Sequence, residues 1–332
     1  MSCGMAIFLS QKFPLFESDE EWKFLADMLD RLAHFGAGRG FVFDGIANAV
    51  ESQLAPSSQK GDAKNELSYA GSLVLSRLLI RFIFGSYEND MSLVVPAMMC
   101  LENLYRHMAI LKRSADSDDD EEGSVDQNTS VEVPDKELWQ NVVVAFYSVC
   151  RSMDPNVSRQ GSDCFQRFVM STGIESIPDD KWIAILFLIV NKQPSVAAHE
   201  TRVNTCAILC KVLLMTVGHL SNRKENWEDL TDIINQTADV VGENLREGRN
   251  GTVSPLFQST LQAITFLSNH MVSSEFGGNN EYGQWASETL LSELEKVGAL
   301  GGSISNIEAT SRRPLPPSFG NATNGNHSRE IK

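Results

Sequence analysis

The sequence predicts an all-α protein, an α-solenoid built from helix pairs of the HEAT, armadillo or TPR-like kind. The apolar residues of the Val- and Ile-rich segments recur at three-four spacing, which indicates helices, and no segment shows the alternation typical of strands. All five tryptophans stand near predicted helix starts. From Trp139 onward they are 43, 45 and 58 residues apart, and a period of about 40–47 residues is that of HEAT and armadillo repeats.

The composition favours a folded chain that does not bind nucleic acid. Hydrophobic residues make up 42% of the 332 residues, which is enough for a large core. The net charge of -15 argues against nucleic-acid binding, because that activity needs a clustered positive surface. The six cysteines form neither a CxxC motif nor a short disulfide framework, so we expect reduced thiols and a cytoplasmic location.

No segment of the sequence is predicted to cross a membrane. The N-terminal stretch MSCGMAIFLSQKF lacks a basic leader and a cleavage region. The longest uncharged apolar run begins at Trp182 and is much shorter than the ~20 residues that a membrane-spanning helix needs. We therefore expect any membrane association to be peripheral.

Composition divides the chain into four segments. Residues 1–113 are predicted to form an N-terminal helical block, and residues 135–298 the C-terminal helical repeats. Residues 114–134 are highly charged with almost no apolar content, so they are predicted to be an acidic disordered loop. Residues 299–332 are rich in Gly, Ser, Asn and Pro, which predicts a disordered tail.

The N-terminal block begins with an amphipathic helix. Ser18 and Glu21 have the spacing of a capping box at its start. The glycines expected to end this helix are Gly36, Gly38 and Gly40. A loop is expected over 55–65. The other helices predicted in this block are a short one through Ile46 and Val50 and two longer ones over Glu66–Phe84 and Met91–Lys112.

The repeats are marked by their tryptophans and helix starts. The starts VPDKELW and IPDDKW are near copies, each with a proline near the first position and acids in the first turn, where the helix dipole favours them. Asp154 and Pro155 are predicted to be the N-cap and the first residue of another repeat helix. The residues predicted to occupy the first turn of repeat helices are Trp22, Trp139, Trp182, Trp227 and Trp285.

Two successive units keep a common register after their tryptophans. Arg159 and Arg202 each stand twenty residues after a tryptophan, while the third unit has Gln258 near that place. Small and apolar residues also match, as Ser162 with Thr205, Cys164 with Ala207, Phe165 with Ile208 and Val169 with Val212. We predict that Arg159 and Arg202 form a ladder that pairs with acids of adjacent turns. The alternative is a partner or anion site that includes them and Glu200.

The residues predict no catalytic site, no cofactor and no metal site. Cys164 occupies a small-residue position of the repeat, so a packing role is favoured over that of a nucleophile. Cys206 and Cys210 lie one helical turn apart, as two zinc ligands can, but no second pair completes a tetrahedron. A cysteine-dependent enzyme that uses Cys164 or Cys206 is the least favoured alternative.

Three segments, taken in order, resemble a known family. They are SDEEWKFLADMLDRLAHFGAG, then LWQNVVVAFYSVCR with DPNVSRQGSDCFQRFVM, then ETRVNTCAILCKVLL. They resemble the region C-terminal to the catalytic domain in large Arf guanine-nucleotide exchange factors of the Golgi brefeldin-A-resistance type. The resemblance covers most of residues 10–300. Its most specific residues are Glu200, Thr201 and Arg202, followed by Leu209, Lys211 and Val212.

This resemblance implies a non-catalytic role. In the family, a separate Sec-seven domain catalyses nucleotide exchange on Arf GTPases, and no segment of this chain resembles that domain. The downstream helical region serves membrane recruitment, regulation and partner binding in Golgi and early secretory traffic. The resemblance therefore implies protein partners, such as Arf or Rab GTPases or Golgi membrane adaptors, at the cytoplasmic surface of those membranes. An unrelated HEAT-type adaptor or transport scaffold is the alternative.

Overall fold

The computed structural model describes residues 18–54, 67–85, 91–116, 135–194, 199–248, 255–272 and 280–296. These residues form α-helices with two short 3-10 segments and no β-strand, which confirms the all-α prediction. The helices are α1 (Asp19–His34), α2 (Gly36–Leu54), α3 (Tyr69–Ile83), α4 (Met91–Asp116), α5 (Lys136–Cys150), α6 (Pro155–Met170), α7 (Asp179–Asn191), α8 (His199–Ser221), α9 (Trp227–Gly248), α10 (Pro255–Val272) and α11 (Asn280–Lys296). The predicted loop 55–65 and tail 299–332 lie outside the described residues.

The helices pack in consecutive pairs and in two series. The pairs are α1 with α2, α3 with α4, α5 with α6, α7 with α8, and α9 with α10. The odd-numbered helices also contact one another in order from α1 to α11, and the even-numbered helices do so from α2 to α10. One continuous apolar core runs between the two series, from Trp22 in α1 to Leu294 in α11. Each pair therefore buries its apolar face against the pair that follows it.

The two predicted helical blocks share this core. Buried Glu102 of α4 accepts hydrogen bonds from Arg106 at 2.6 Å and from Arg167 of α6 at 3.2 Å. The rings of Tyr105 and Phe168 meet edge to face, with their centroids 4.9 Å apart. Helix α4 continues to residue 116, so the first three residues of the predicted acidic loop are helical, and the rest of that loop lies outside the described residues.

The start of α1 was predicted correctly, and the helix ends just before Gly36, the first of the glycines predicted to end it. Ser18 Oγ accepts a hydrogen bond from the Glu21 amide, and the Glu21 carboxylate accepts one from the Ser18 amide, which confirms the capping box. Helix α1 ends at His34, and the glycines expected to end it belong instead to α2, a helix of 19 residues. At Gly38 a side chain would overlap the carbonyl oxygen of Leu32, so this glycine lets α2 begin close against α1.

A second close approach gives a test of the packing in this block. A methyl group at Gly71 of α3 would overlap the ring of Trp22, which is 1% exposed. We expect Gly71→Ala to lower the free energy of unfolding by about 1–3 kcal/mol, because the buried indole would have to move. At Gly40 a methyl group would meet no atom within 4 Å, so Gly40→Ala is expected to raise stability by up to ~1 kcal/mol. Urea unfolding followed by circular dichroism measures both, and equal destabilisation would contradict this packing.

Candidate functional site

Three tryptophans occupy the same position in their helices. Trp22, Trp139 and Trp182 are the fourth residues of α1, α5 and α7, and Trp227 is the first residue of α9. Trp285 is the sixth residue of α11, so the first-turn prediction is wrong for it, because α11 begins earlier than the sequence pattern indicated. All but the half-buried Trp227 are at most 4% exposed.

Two of the indole groups donate to carbonyl oxygens of residues that precede their own helices. Trp182 Nε1 donates to the carbonyl oxygen of Ile174 at 3.1 Å, and Trp227 Nε1 donates to that of Ser221 at 2.8 Å. The rings of Trp139 and Trp182 meet edge to face, with their centroids 4.9 Å apart. A buried aromatic ring with a satisfied N–H group is a packing element. These tryptophans therefore hold successive odd-numbered helices and their preceding turns together.

The opening of α6 agrees with the predicted cap. The Asp154 carboxylate accepts hydrogen bonds from the amides of Asn156 at 2.8 Å and Val157 at 3.4 Å. Pro155 is the first residue of the helix, where its missing N–H group leaves no intrahelical bond unmade. The carboxylate thus caps the start of α6, and this structural role accounts for it.

The repeat register holds at the core positions of α6 and α8. Ser162 Oγ donates to the carbonyl oxygen of Ser158 at 2.8 Å, and Thr205 Oγ1 donates to that of Thr201 at 3.1 Å. The equivalent apolar pairs are also buried in both helices, and they are Phe165 with Ile208 and Val169 with Val212. These three matched pairs thus share burial or a hydrogen bond, whereas Cys164 is buried and its counterpart Ala207 is only half-buried.

Arg202 of α8 is 5% exposed and binds three side chains of α9. Its guanidinium donates to Asn244 Oδ1 at 2.7 and 3.2 Å, pairs closely with Glu247, and lies 4.0 Å from Glu243. Asn244 is itself 3% exposed. Arg202 therefore connects two neighbouring pairs of helices.

Arg159 has different surroundings, although its sequence position matches that of Arg202. It is exposed on α6 and has no ion pair among the described residues. The partners of Arg202 lie near the end of α9, which has 22 residues, whereas α7 has 13 residues and ends at Asn191. The ion pairs of Arg202 are therefore not repeated at Arg159 among the described residues. Glu200 is also exposed, and a partner role for it and Arg159 remains a prediction.

The described cysteines are buried. Burial raises the pKa of the Cys164 thiol, an effect that the nearby charge of Arg167 opposes, and it raises the pKa of Cys100 to about 12. A hydrogen bond from Cys210 lowers the pKa of Cys206 against the effect of burial. Cys206 is only 1% exposed. No group of three or more potential metal ligands occurs in the described part of the chain.

Thiol reactivity tests the alternative of a cysteine-dependent enzyme. The five described thiols are buried, whereas Cys3 lies outside the described residues, so Cys3→Ser removes it from the measurement. We expect no thiol of this variant to react with Ellman's reagent in the folded state, and all five to react in guanidinium. A thiol that reacts rapidly in the folded variant would contradict this expectation and favour the enzyme.

Helix α8 is the one helix in the described ranges that is long and apolar enough to cross a membrane. However, 56% of its most apolar stretch is buried inside the fold, and it packs against α6, α7, α9 and α10. Core helices of this kind are apolar on most sides. The prediction that the chain has no transmembrane segment remains a prediction.

An open apolar groove of about 810 Å³ lies over α8, with α6 on one side and α10 on the other. Val203, Ala207 and Leu214 line it along α8. Met170 of α6 and Phe266 of α10 flank it, and each is 67% exposed. Exposed apolar side chains grouped in one concave place are typical of a binding surface.

The groove has one fully charged group. Lys211 is the only lysine, arginine, aspartate or glutamate among the described residues that line it, and its ammonium group donates to Gln166 of α6. Helix α10 contains none of these four residue types over 18 residues, in a chain that is 21% charged. The sequence analysis missed the groove, and this uncharged helix is the signal that could have indicated it.

The described residues thus form an all-α helical protein with an exposed apolar groove. Comparisons of the chain with protein-family models, curated proteins and solved structures give no match.

Proposed function

We propose that the chain is a non-catalytic α-solenoid that acts as a scaffold in Golgi and early secretory traffic. The solenoid is supported by the consecutive helix pairs and by the two series in which each helix contacts its nearest counterparts. In repeat proteins each unit packs mainly on its neighbours, and the stack presents an extended binding surface. The shared burial of matching residues in α6 and α8 supports the same architecture.

The chain would correspond to the region that follows the catalytic domain in a large Arf exchange factor. The observation that carries the scaffold role is the apolar groove, which lies on three successive second helices of pairs and groups exposed apolar side chains in one concave place. The family assignment is supported by the sequence resemblance, above all at Glu200, Thr201 and Arg202. Arf or Rab GTPases and Golgi adaptors are the partners that follow from it.

Recruitment to membranes tests this function. The full chain, fused to a fluorescent protein, is expected to colocalise with Golgi or early secretory membranes at their cytoplasmic face. The purified chain is expected to float with Golgi-enriched membranes, and to lose this binding when the membranes are first treated with protease. Strong flotation with protein-free liposomes would overturn protein-mediated recruitment.

Two further outcomes separate the alternatives. The purified chain alone is expected to leave nucleotide exchange on Arf unchanged, because the resemblance places catalysis in a separate domain. A folded chain that shows no enrichment on Golgi or early secretory membranes would overturn the family assignment and favour an unrelated HEAT-type adaptor.

A further inference from the structure

We propose that the groove over α8 binds one amphipathic helix of a protein partner, about three turns long, with an acidic side chain that pairs with Lys211. This inference specifies the partner of the scaffold proposed above, and it depends on the scaffold function. The assignment to an exchange factor is not needed for it.

The size of the groove fits a helix. The residues of α8 that line it extend from Val203 to Met215, which corresponds to ~18 Å along the helix axis. Three turns of a second helix have about this length. Met170 and Phe266 flank the groove on opposite sides and would contact such a helix on both flanks.

The chemistry of the lining favours a helix over an extended peptide. An extended segment exposes its backbone N–H and C=O groups, and each of these groups needs a partner when it is buried. Along α8 the groove offers mainly aliphatic side chains, such as Val203, Ala207 and Leu214. A helix satisfies its own backbone groups, so only its side chains must match this surface.

Charge identifies the polar feature of the partner. Lys211 is exposed, and it is the only fully charged group among the described lining residues. An acidic side chain on the partner would complement it, whereas a basic one would be repelled. An anionic membrane is a weaker fit, since one lysine contributes only ~1 kcal/mol to such binding and the chain carries a net charge of -15.

Two substitutions and one matched control make the groove testable. Phe266→Glu places a carboxylate in the groove, and Lys211→Glu reverses its charge. Phe24→Glu is the control, because Phe24 is 73% exposed on α1, far along the chain from the groove, compared with 67% for Phe266. All three side chains are exposed, so circular dichroism and thermal unfolding are expected to match those of the wild type.

The probe is a phage-displayed library of random 16-residue peptides, selected on the full chain. We expect enriched peptides with apolar residues at three-four spacing and an Asp or Glu beside them. Phe266→Glu and Lys211→Glu are each expected to weaken the affinity for a selected peptide on the order of tenfold or more, and Phe24→Glu is expected to leave the affinity unchanged. Changing the acidic residue of the peptide to Lys is expected to restore binding to Lys211→Glu.

Several results would overturn the proposal. The proposal is wrong if the enriched peptides lack helical periodicity, or if they bind Phe266→Glu as tightly as the wild type. It is also wrong if the wild-type chain enriches no peptide relative to a surface coated with Phe266→Glu. If sedimentation shows a dimer that Phe266→Glu breaks and Phe24→Glu does not, the groove binds a second copy of the chain. If the wild-type chain floats with liposomes and Phe266→Glu does not, the groove binds a membrane. Peptide binding without Golgi enrichment would contradict only the exchange-factor assignment. Golgi enrichment without peptide binding would contradict only the proposed role of the groove.

Discussion

Trp139→Ala is expected to lower the free energy of unfolding by about 3–5 kcal/mol, as removal of a buried aromatic ring commonly does. Trp139 is 0% exposed, and its ring meets that of Trp182 edge to face at 4.9 Å. Its Nε1 also donates to Thr172 Oγ1 at 3.1 Å, in the turn after α6. The substitution would leave a cavity between α5 and α7 and would remove the donor that Thr172 Oγ1 accepts from. Urea unfolding followed by circular dichroism measures the loss.

Two further variants separate the ring from its hydrogen bond. Trp139→Phe keeps much of the apolar volume but loses the bond to Thr172, so we expect a smaller loss than for alanine. Phe24→Ala removes an aromatic ring that is 73% exposed, and we expect a change within about 0.5 kcal/mol. A loss below ~1 kcal/mol for Trp139→Ala would contradict the role of the tryptophans in joining successive helices.

Hydrophobic spacing was sufficient to predict the helical class and most of the helices. The predicted helix over Met91–Lys112 is observed as α4, extended by four residues. The glycines after α1 were not predicted to be helical, because glycine has a low intrinsic helix propensity. They nevertheless lie in α2, since tertiary packing can override this propensity. At Gly38 the absence of a side chain allows the start of α2 to lie against Leu32. That contact cannot be read from local sequence.

The site was only partly predictable. The equivalence of Ser162 with Thr205 follows from their spacing, and the structure places both in the same hydrogen-bonded position. The exposure of Met170 and Phe266 depends on how α6, α8 and α10 lie side by side, and helical periodicity in one helix does not contain this information. The partners of Arg202 likewise lie on another helix, α9. Features that depend on one helix were therefore predictable from the sequence, and features that depend on how several helices pack were not.

Arg202→Met is expected to lower the free energy of unfolding by about 3 kcal/mol. Methionine retains much of the apolar stem but leaves Asn244 Oδ1, which now accepts two guanidinium N–H groups, without its donors. Glu243 and Glu247 are about half exposed and regain water, so they add little to the loss. Urea unfolding of Arg202→Met, Asn244→Ala and the double variant is expected to show a coupling of about 0.5–3 kcal/mol.

Arg159→Met is the matched control, since the same residue type stands at the equivalent repeat position but is exposed on α6. We expect its stability to change by less than ~0.5 kcal/mol. Equal losses at both arginines would show that Arg159 and Arg202 are both structural members of the predicted ladder. If Arg159 instead belongs to a partner site, its substitution would weaken binding to the full chain without changing the unfolding curve. The stability difference between the two variants thus separates a structural arginine from one available to a partner.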